Sequence, residues 1–554
     1  MKGSKMNRKA DIWSKLANAS IGLLLLPSVV ILYQLFFGGG SDNWEHIRTY
    51  MLNKYMWNTT LIVCLTALTT GLIGMSLAWL VTVFEFPFRN ALKWGLMLPL
   101  AIPAYIGAYT YHGLLNYTGV IQAFLRNEMG LNLSQKYFNI MNLPGVVFIF
   151  TIFLYPYVYT VTKSFLSRHT ASLIESARVL GHSPAKLFFT VIMPLSRGAV
   201  IGGVSLVVME VLNDYGVVKY FGVPSFSTAI FKAWFSMGDI QAAIRLAAIL
   251  MVFVFVTLAG ERMVRGRRKT SMTTTKQRSM VLIELKGWKR IAASAYAVSI
   301  FMLGFIIPVL QLLHWTYLAQ ERLFSKELIG LVGNTVFVAV LSTVIILVIA
   351  IIVANHNRLS DSKLTKLHSS AVSLGYSIPG AVISVGVIIL FIGLDRFLGP
   401  VYKQFFQFNK TLVLSTSLVM LIFAYVLRFL AIGYNNVDSG LDKIGRKYHE
   451  ASRMLGKNSV KTFFEVDLPM IHPALIGGFV MVFIDMLKEL PLTLILRPFN
   501  FDTLATKAFE YANDEMIHEA AIPSMIIIVL SLVLIGILQQ YQAKVRAKNR
   551  AYAD

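Results

Sequence analysis

Long apolar stretches alternate with short polar segments along the whole chain. Most of these stretches reach or exceed the roughly 18 residues that are typical of a membrane-crossing helix. We count twelve of them, at about 16–37, 57–84, 91–113, 144–166, 198–220, 241–260, 291–318, 331–354, 369–394, 411–434, 471–495 and 520–540. The pattern therefore predicts an all-α polytopic membrane protein with about 12 transmembrane helices.

The composition supports a membrane protein and argues against a soluble enzyme. Of the 554 residues, 56% are hydrophobic and 14% are charged, whereas soluble proteins average roughly 45–50% apolar and about 25% charged residues. The single cysteine, Cys64, excludes an intrachain disulfide and a cysteine-rich metal site. No resident cofactor is expected in this chain.

The net charge of +23 comes from basic residues that are concentrated in alternate loops. By the positive-inside rule these loops are cytoplasmic, and so are both termini. Because basic residues border the spans and no pattern of base-stacking aromatic residues accompanies them, we expect contact with a lipid bilayer and not with nucleic acid. The first apolar stretch has no cleavage site after it, which favours an uncleaved first span.

The two halves of the chain are repeats of one sequence unit. Segments 175–203 and 450–478 are identical at 13 of 29 positions, at an offset of 275 residues. The outlying matches are Asn58-Thr59 with Asn334-Thr335 and Pro103 with Pro379 at an offset of 276, and Glu210 with Asp485, Asp214 with Glu489, Thr228 with Thr503, Lys232 with Lys507 and Asp239 with Asp514 at 275. A tandem duplication of two pseudo-symmetric six-helix units is predicted.

The repeat sets the expected domain boundaries. Residues 1–262 form the first repeat and 291–542 the second, each with about six transmembrane helices. Between them, 263–290 is a basic, polar stretch that we interpret as a cytoplasmic linker, and 543–554 is a basic cytoplasmic tail.

Each repeat carries a basic loop between its fourth and fifth spans, which we call the first loop (170–195) and the second loop (445–470). Both contain the pattern E-x5-G-x12-P, with an apolar residue inside it. The matching residues are Glu175, Gly181, Phe188 and Pro194 in the first loop, and Glu450, Gly456, Phe463 and Pro469 in the second.

The pattern predicts two short helices around a glycine turn, the second of them capped by Ser183 or Asn458 and ending at Pro194 or Pro469. Amphipathic helices lying on lipid are the alternative. A fixed turn favours a knob that docks into a partner's groove.

These loops resemble the coupling loops of ABC importer permeases, and two loops in one chain resemble the fused permeases of that class. Segments 212–239 and 488–515 are similar to the ferric-iron permeases that work with a periplasmic binding protein. The resemblance implies an inner-membrane location, alternating access, two copies of an ABC ATP-binding subunit and a periplasmic substrate-binding protein. ATP and Mg would be bound by the partner subunit, since the chain has no G-x4-G-K-[ST] motif and is not expected to be an enzyme.

Two other functions stay open at this point. Fused thiamine and phosphonate permeases share the layout, so the same machine for either cargo is one alternative. Parallel six-span repeats would also suit a 12-span secondary transporter driven by an ion gradient, although the duplicated loops weigh against it.

Within the fifth and eleventh spans, past the middle of the membrane, lie two pairs of acidic residues with a spacing of four: Glu210 with Asp214, and Asp485 with Glu489. That spacing predicts one helical face for each pair. Because a charge inside a bilayer costs at least about 2.5–3.5 kcal/mol, such residues normally face a cavity or a partner. We expect them to line a translocation path and to contact metal only transiently, with no tightly bound metal.

The alternative is that the helices break at Gly216 and Pro491, which would place the acids at an external mouth. Lys488 could also neutralise Asp485 or Glu489. Beyond these spans, Thr228, Lys232, Thr503 and Lys507 are predicted to contact the binding protein, and a loop that merely covers the bundle is the alternative. Arg428 is predicted to extend to lipid headgroups.

Overall fold

The computed structural model describes residues 12–169, 176, 183–265, 282–360, 363–406 and 412–551. Helices make up nearly all of this part of the chain. In the first half they are α1 (Ile12–Phe37), α2 (Trp44–His46), α3 (Leu52–Val83), α4 (Arg89–Gly95), α5 (Ala104–Leu115), α6 (Val120–Asn127), α7 (Leu143–His169), α8 (Pro184–Leu187), α9 (Met193–Asn213), α10 (Gly216–Tyr220), α11 (Phe226–Phe231) and α12 (Ile240–Arg265).

The second half repeats this order of long and short helices. They are α13 (Trp288–Phe301), α14 (Ile307–Leu318), α15 (Lys326–Leu359), α16 (Lys363–Ser377), α17 (Gly380–Phe406), α18 (Leu418–Ile444), α19 (Lys447–Met454), α20 (Ser459–Thr462), α21 (Leu468–Leu487), α22 (Pro491–Leu496), α23 (Leu504–Asn513) and α24 (Ile517–Ala551). Several of these helices are joined end to end through five-residue π-helical stretches: Ile47–Met51, Phe188–Ile192, Met302–Ile306 and Phe463–Asp467. Another such stretch, Lys232–Ser236, extends α11.

The all-α polytopic fold predicted from the apolar stretches is confirmed. Over the described residues, 11 helices are long and apolar enough to cross a membrane, and the number is 12 if the bent pair Arg89–Ala101 and Ala104–Asn127 counts as one span. The chain is therefore a multi-pass membrane protein.

Repeated prolines break two of the predicted spans. The third predicted span, 91–113, bends by 95° between its two helices, and α5 begins directly after Pro103. The ninth, 369–394, is divided in the same way between α16 and α17, which begins directly after Pro379. Proline has no N–H to donate and disfavours helical backbone in the residue before it, so the prediction of one straight helix at each place was wrong.

The chain forms two compact units, which differ from the two sequence repeats. The first-half unit contains Ser41–Leu323 and Lys507–Ile528, and the second-half unit contains Met1–Gly40, Phe324–Thr506 and Val529–Asp554. Thus α1 packs with α15 and α17 in the second-half unit, while α14 packs with α5 in the first-half unit. The predicted boundaries at 262 and 291 describe the duplication of sequence, whereas packing exchanges the first helix of each half.

Equivalent long helices make the core of each unit. In the first-half unit α7 packs against α3 and α9, and in the second-half unit α18 packs against α15 and α21. The first-half unit also contains the strands β1 (Phe84–Glu85) and β2 (Ile283–Glu284), which pair in parallel. The last residues of the 263–290 segment are thereby attached to the turn that follows α3.

Candidate functional site

The second loop has the predicted turn. Helix α19 ends at Met454, Gly456 has a φ of +86°, and the backbone N–H of Lys461 donates to the side-chain oxygen of Asn458 over 2.7 Å. A residue with no Cβ suits this left-handed conformation, and asparagine is among the preferred N-caps. Glu450 lies on the exposed side of α19. The role of this loop in docking a partner stays a prediction.

The first loop is described only in part. Glu175 and Gly181 lie outside the described residues. Ser183 caps α8 as predicted, since its hydroxyl accepts a 3.3 Å hydrogen bond from the backbone N–H of Lys186.

The prediction that the loop helices end at Pro194 and Pro469 was wrong. Both prolines lie in the first turn of a spanning helix, α9 or α21, and the helical backbone runs into that turn from the loop. Directly before each proline, a π-helical stretch replaces the α-helical turn, with the N–H of Met193 bonded to the carbonyl of Phe188. The wider π turn accommodates a residue that has no N–H.

The paired phenylalanines of each loop point in two directions. Phe463 is 2% exposed and its ring meets Trp13 of α1 edge-on at 5.1 Å between centroids. Phe188 is half-buried, with its ring 5.7 Å from that of Trp79. The next residue is exposed in both loops, at 64% for Phe189 and 58% for Phe464. Phe188 and Phe463 therefore anchor the loops.

The second loop has an exposed apolar surface. Its most exposed large apolar side chains are Tyr448, Met454, Leu455 and Phe464, and Val460 and Met470 are exposed to a smaller extent. They surround the Gly456 turn on both sides in sequence. Apolar residues concentrated at a fixed turn are typical of a surface that a partner covers.

The fifth and eleventh spans end earlier than predicted. Helix α9 ends one residue before Asp214 and α21 ends two residues before Glu489. The breaks considered at Gly216 and Pro491 are present, because α10 and α22 begin at these residues. The prediction that each acidic pair shares one continuous helical face was therefore wrong.

The second acid of each pair caps the short helix that follows. A carboxylate oxygen of Asp214 accepts from the backbone N–H of Val217 at 2.9 Å, and one of Glu489 accepts from that of Leu492 at 3.1 Å. A carboxylate at a helix N-terminus satisfies a free N–H and interacts well with the helix dipole. Asp214 and Glu489 thus have the same structural role, that of a helix cap, in the two repeats.

Glu489 is also half of a buried ion pair. Arg428 of α18 approaches it with 3.3 Å between Nε and Oε2, and both side chains are nearly inaccessible to solvent. The prediction that Arg428 extends to headgroups was wrong, because a carboxylate lies within reach inside the helix bundle. Nothing in the hydrophobic periodicity of the sequence predicts that Arg428 and Glu489 are in contact.

The first acid of each pair is more accessible. Glu210 is half-buried and accepts a 3.5 Å hydrogen bond from the hydroxyl of Tyr157. Asp485 is half-buried and pairs with Lys488 at 3.6 Å, which is one of the two pairings considered from the sequence. Whether any of the four acids lines a path stays a prediction.

The segments after these spans are in a different register from the one predicted. Helix α11 begins with a capping box in which Ser225 and Thr228 exchange hydrogen bonds between side chain and backbone. Helix α23 has the same arrangement between Thr503 and Thr506. The equivalent pairs are thus 278 residues apart, and the predicted matches of Thr228 with Thr503 and Lys232 with Lys507 were wrong.

The repeated Asn-Thr pairs confirm this register. The side-chain amide of Asn58 donates to the carbonyl of Pro224, and that of Asn334 donates to the carbonyl of Asp502. The next residue of each pair, Thr59 or Thr335, accepts from the first backbone N–H of α11 or α23. The second half therefore has three extra residues between the start of α22 and the start of α23. In both halves the Asn-Thr pair attaches the short helix to a span.

The predicted external contacts occupy different environments. Thr228 is half-buried and Thr503 is 4% exposed, since both belong to capping boxes. Lys232 is exposed, whereas Lys507 is half-buried with its ammonium 4.8 Å from the ring centroid of Tyr511.

Asp239 illustrates the same change of register, because Asp514 does not repeat its role. Asp239 accepts from the backbone N–H of Ala242 at the start of α12 and from the hydroxyl of Ser41 at 2.8 Å. Burial raises the pKa of the Asp239 carboxyl, whereas these two hydrogen bonds and two more from Asn43 lower it. The hydrogen bonds together have the larger effect, so the pKa lies below its ordinary value. Asp514 instead directly follows the end of α23.

Two repeats of spanning helices, with a helical loop of fixed turn geometry described in the second, are the arrangement of a multi-pass membrane permease. The chain belongs to the family described as the inner membrane component of binding-protein-dependent transport systems, whose model matches residues 19–265 and 346–547. Two separate matches agree with the duplication predicted from the sequence.

The relatives of the chain are transport permeases. It is 23% identical over 545 residues to the Fe(3+)-transport system permease protein FbpB 2 of Haemophilus influenzae, covering 97% of this chain and all of that protein. It is 21% identical over 492 residues to the ferric transport system permease protein FbpB of Actinobacillus pleuropneumoniae, covering 83% and 68%. With the sulfate transport system permease protein CysT of Escherichia coli it shares 25% identity over 198 residues, covering 36% and 69%.

Proposed function

We propose that this chain is the membrane channel of an ATP-driven ABC importer that takes up ferric iron delivered by a periplasmic binding protein. The observation that carries the proposal is similarity along nearly the whole chain to a permease named for Fe(3+) transport. Family membership supports the dependence on a binding protein. The sulfate permeases match only about a third of the chain, which favours iron over sulfate as cargo.

ATP hydrolysis belongs, in this proposal, to a separate subunit that binds ATP and Mg. The chain itself has no P-loop motif. Two loops suggest two copies of that subunit. The basic loops favour both termini on the cytoplasmic side of the inner membrane. The exposed Met454, Leu455 and Phe464 of the second loop support docking, and exposure favours Phe189 and Phe464 over Phe188 and Phe463 as contacts.

The experiment that tests the function is uptake into proteoliposomes. The chain is coexpressed with an ABC ATPase and a periplasmic binding protein from the same organism. Labelled ferric iron, thiamine, phosphonate and sulfate are offered in parallel. We expect ATP-dependent uptake of iron alone. Uptake of another cargo would reject iron, and uptake driven by an ion gradient without nucleotide would reject the ATP-driven class.

The translocation path is proposed to include the accessible acids Glu210 and Asp485. Because carboxylates suit hard cations, we expect the variant Glu210→Gln with Asp485→Asn to lower iron uptake severalfold while the ATPase still copurifies. The measurement is initial uptake rate against ATPase content. Glu327, at the first turn of α15, supplies the control substitution Glu327→Gln. Unchanged uptake in the double variant would remove these acids from the path.

The contact with the binding protein is proposed to involve the segments around Lys232 and Lys507. Lys232 is the better candidate because its side chain is exposed. In a Cys64→Ser background, a photoreactive probe on Lys232→Cys should capture the binding protein, while the same probe at Thr503, which is buried, should not. A scan of 225–239 and 500–515 that captures nothing would reject this contact.

A further inference from the structure

A buried carboxylate joins three helical segments at the base of the second loop. Asp467, in the π-helical stretch before α21, has a fully buried side chain. Its Oδ2 lies 2.8 Å from Nη2 of Arg358 at the end of α15 and 2.6 Å from Nδ1 of His449 in α19. One oxygen atom thus connects the loop, the following span and a neighbouring span.

Further hydrogen bonds extend this cluster. The guanidinium of Arg358 also donates to the side-chain oxygen of Asn355 at 3.1 Å and to the carbonyl of Gly445 at 3.4 Å. Across the glycine turn, the hydroxyls of Ser452 and Thr462 lie 3.1 Å apart. Both arms of the second loop are therefore attached to each other, and the cluster attaches them to α15.

The first half of the chain builds the same place from apolar side chains. At the repeat offset of 275, Asp467 corresponds to Ile192 and Thr462 to Leu187; at the offset of 276, Asn355 corresponds to Trp79. In the first-half unit, Trp79, Leu187 and Ile192 share one buried apolar cluster. Arg358 corresponds to Thr82 at the same offset, and His449 to Ile174, which lies outside the described residues.

This comparison separates folding from function. The described part of the first half has an apolar cluster at these positions, so packing there does not need charged groups. Buried ion pairs are often no more stabilising than apolar residues of similar volume. Stability alone therefore does not explain why Arg358, His449 and Asp467 stand at these positions, and we look for a role that apolar residues could not have.

That role follows from how the two kinds of contact respond to force. Apolar surfaces are non-directional and can slide while they stay in contact. A buried ion pair has fixed geometry, and separating it leaves an uncompensated charge, which is strongly unfavourable. A loop held by such a pair moves together with the helix that provides the partner.

We propose that Arg358, His449 and Asp467 form an ionic latch that fixes the second loop to α15, so that displacement of the loop by the ATPase is transmitted to that span. The three are positioning residues. The inference rests on the proposed function, since it needs an ATPase that docks on the second loop. In the described residues the second loop is held by charge, whereas Leu187 and Ile192 at the equivalent first-half positions pack in an apolar cluster, so we expect the two loops to respond differently to force.

The decisive variant replaces the latch with the first half's own residues: Arg358→Thr, His449→Ile and Asp467→Ile together. It is made in the full chain and assembled with the ATPase and binding protein in proteoliposomes. Because no charge is left unpaired, we expect copurification of the ATPase and thermal stability close to those of the unchanged chain. Iron transported per ATP hydrolysed should fall by about tenfold, within the usual range of coupling between sites.

Single substitutions keep the test decisive if the triple variant fails to assemble. Asp467→Asn should lower the transport-to-hydrolysis ratio, and Arg358→Lys, which keeps the charge, should restore most of it relative to Arg358→Thr. The matched control is Glu465→Gln, which removes an exposed carboxylate that pairs with Lys457 in the same loop.

Normal coupling in the triple variant, or in Asp467→Asn when the triple variant does not assemble, would overturn the latch. Absence of ATP-driven uptake by the unchanged chain would instead reject the proposed function, so the two failures are distinguishable.

Discussion

Replacing Gly456 with valine is expected to lower ATP-coupled uptake by about tenfold while the protein still inserts in the membrane. The φ of +86° places this residue in the left-handed region, where a β-branched side chain strains the backbone by about 1–3 kcal/mol. No atom lies within 4 Å of the position of an added Cβ, so the effect comes from backbone conformation and not from a clash. The turn would change shape, and with it the exposed surface of the second loop.

Two substitutions make this result specific to the turn. Gly456→Asn should retain most of the uptake, because asparagine adopts the left-handed conformation more readily than other residues. Gly536→Val, in α24 at a position with open space around it, should leave uptake unchanged. Uptake and ATPase copurification are measured together. Full activity of Gly456→Val would show that the fixed turn does not matter for coupling.

Replacing Arg428 with methionine is expected to destabilise the protein by about 3–5 kcal/mol, since it leaves Glu489 buried without its partner. The pair is enclosed, with side chains 7% and 5% exposed. A large drop in the thermal midpoint in detergent should follow, together with a low yield in membranes. Fluorescence-detected size exclusion after heating measures both.

The double variant Arg428→Met with Glu489→Gln should recover most of this loss, because no unpaired charge remains. The matched control is Arg322→Met, whose partner Glu519 lies 3.4 Å away but whose own side chain is 52% exposed; exposed pairs contribute only about 0–1 kcal/mol. If the single and double variants were equally unstable, the charge balance at Glu489 would not explain the stability.

The hydrophobic pattern was sufficient to predict the spans, because a span depends on composition over about 20 residues. The duplication was predictable from identical residues at a fixed offset. It did not show where spans break. Pro103 and Pro379 were recognised as a repeated pair, yet their apolar surroundings concealed that a helix ends at each. For the prolines of the loops the error was the reverse. Pro194 and Pro469 were predicted to end helices, but the helical backbone continues through them after a π-helical stretch.

The candidate site was predictable only where its geometry is local. The Gly456 turn and the Asn458 cap involve neighbours in sequence, so residue type was informative. The Arg428–Glu489 pair and the Asp467 cluster join residues far apart in the chain, and one sequence contains no signal of such contacts. The three-residue insertion before α23 escaped notice because Thr228 and Lys232 happen to have identical residues, Thr503 and Lys507, at the offset of 275 that holds before the insertion.

The exchanged first helices have a consequence for how this protein is made. Helix α1 is synthesised first, yet the neighbours it packs against, α15 and α17, follow some three hundred residues later. A ribosome stalled in the segment between the repeats would leave α1 in lipid with none of these neighbours yet made, and the unit formed by the first half would still lack α13 and α14. Because the halves are fused into one polypeptide, every α1 is made together with one copy of α15 and α17, and every first half with one copy of α13 and α14. These helices are also inserted into the same region of the membrane.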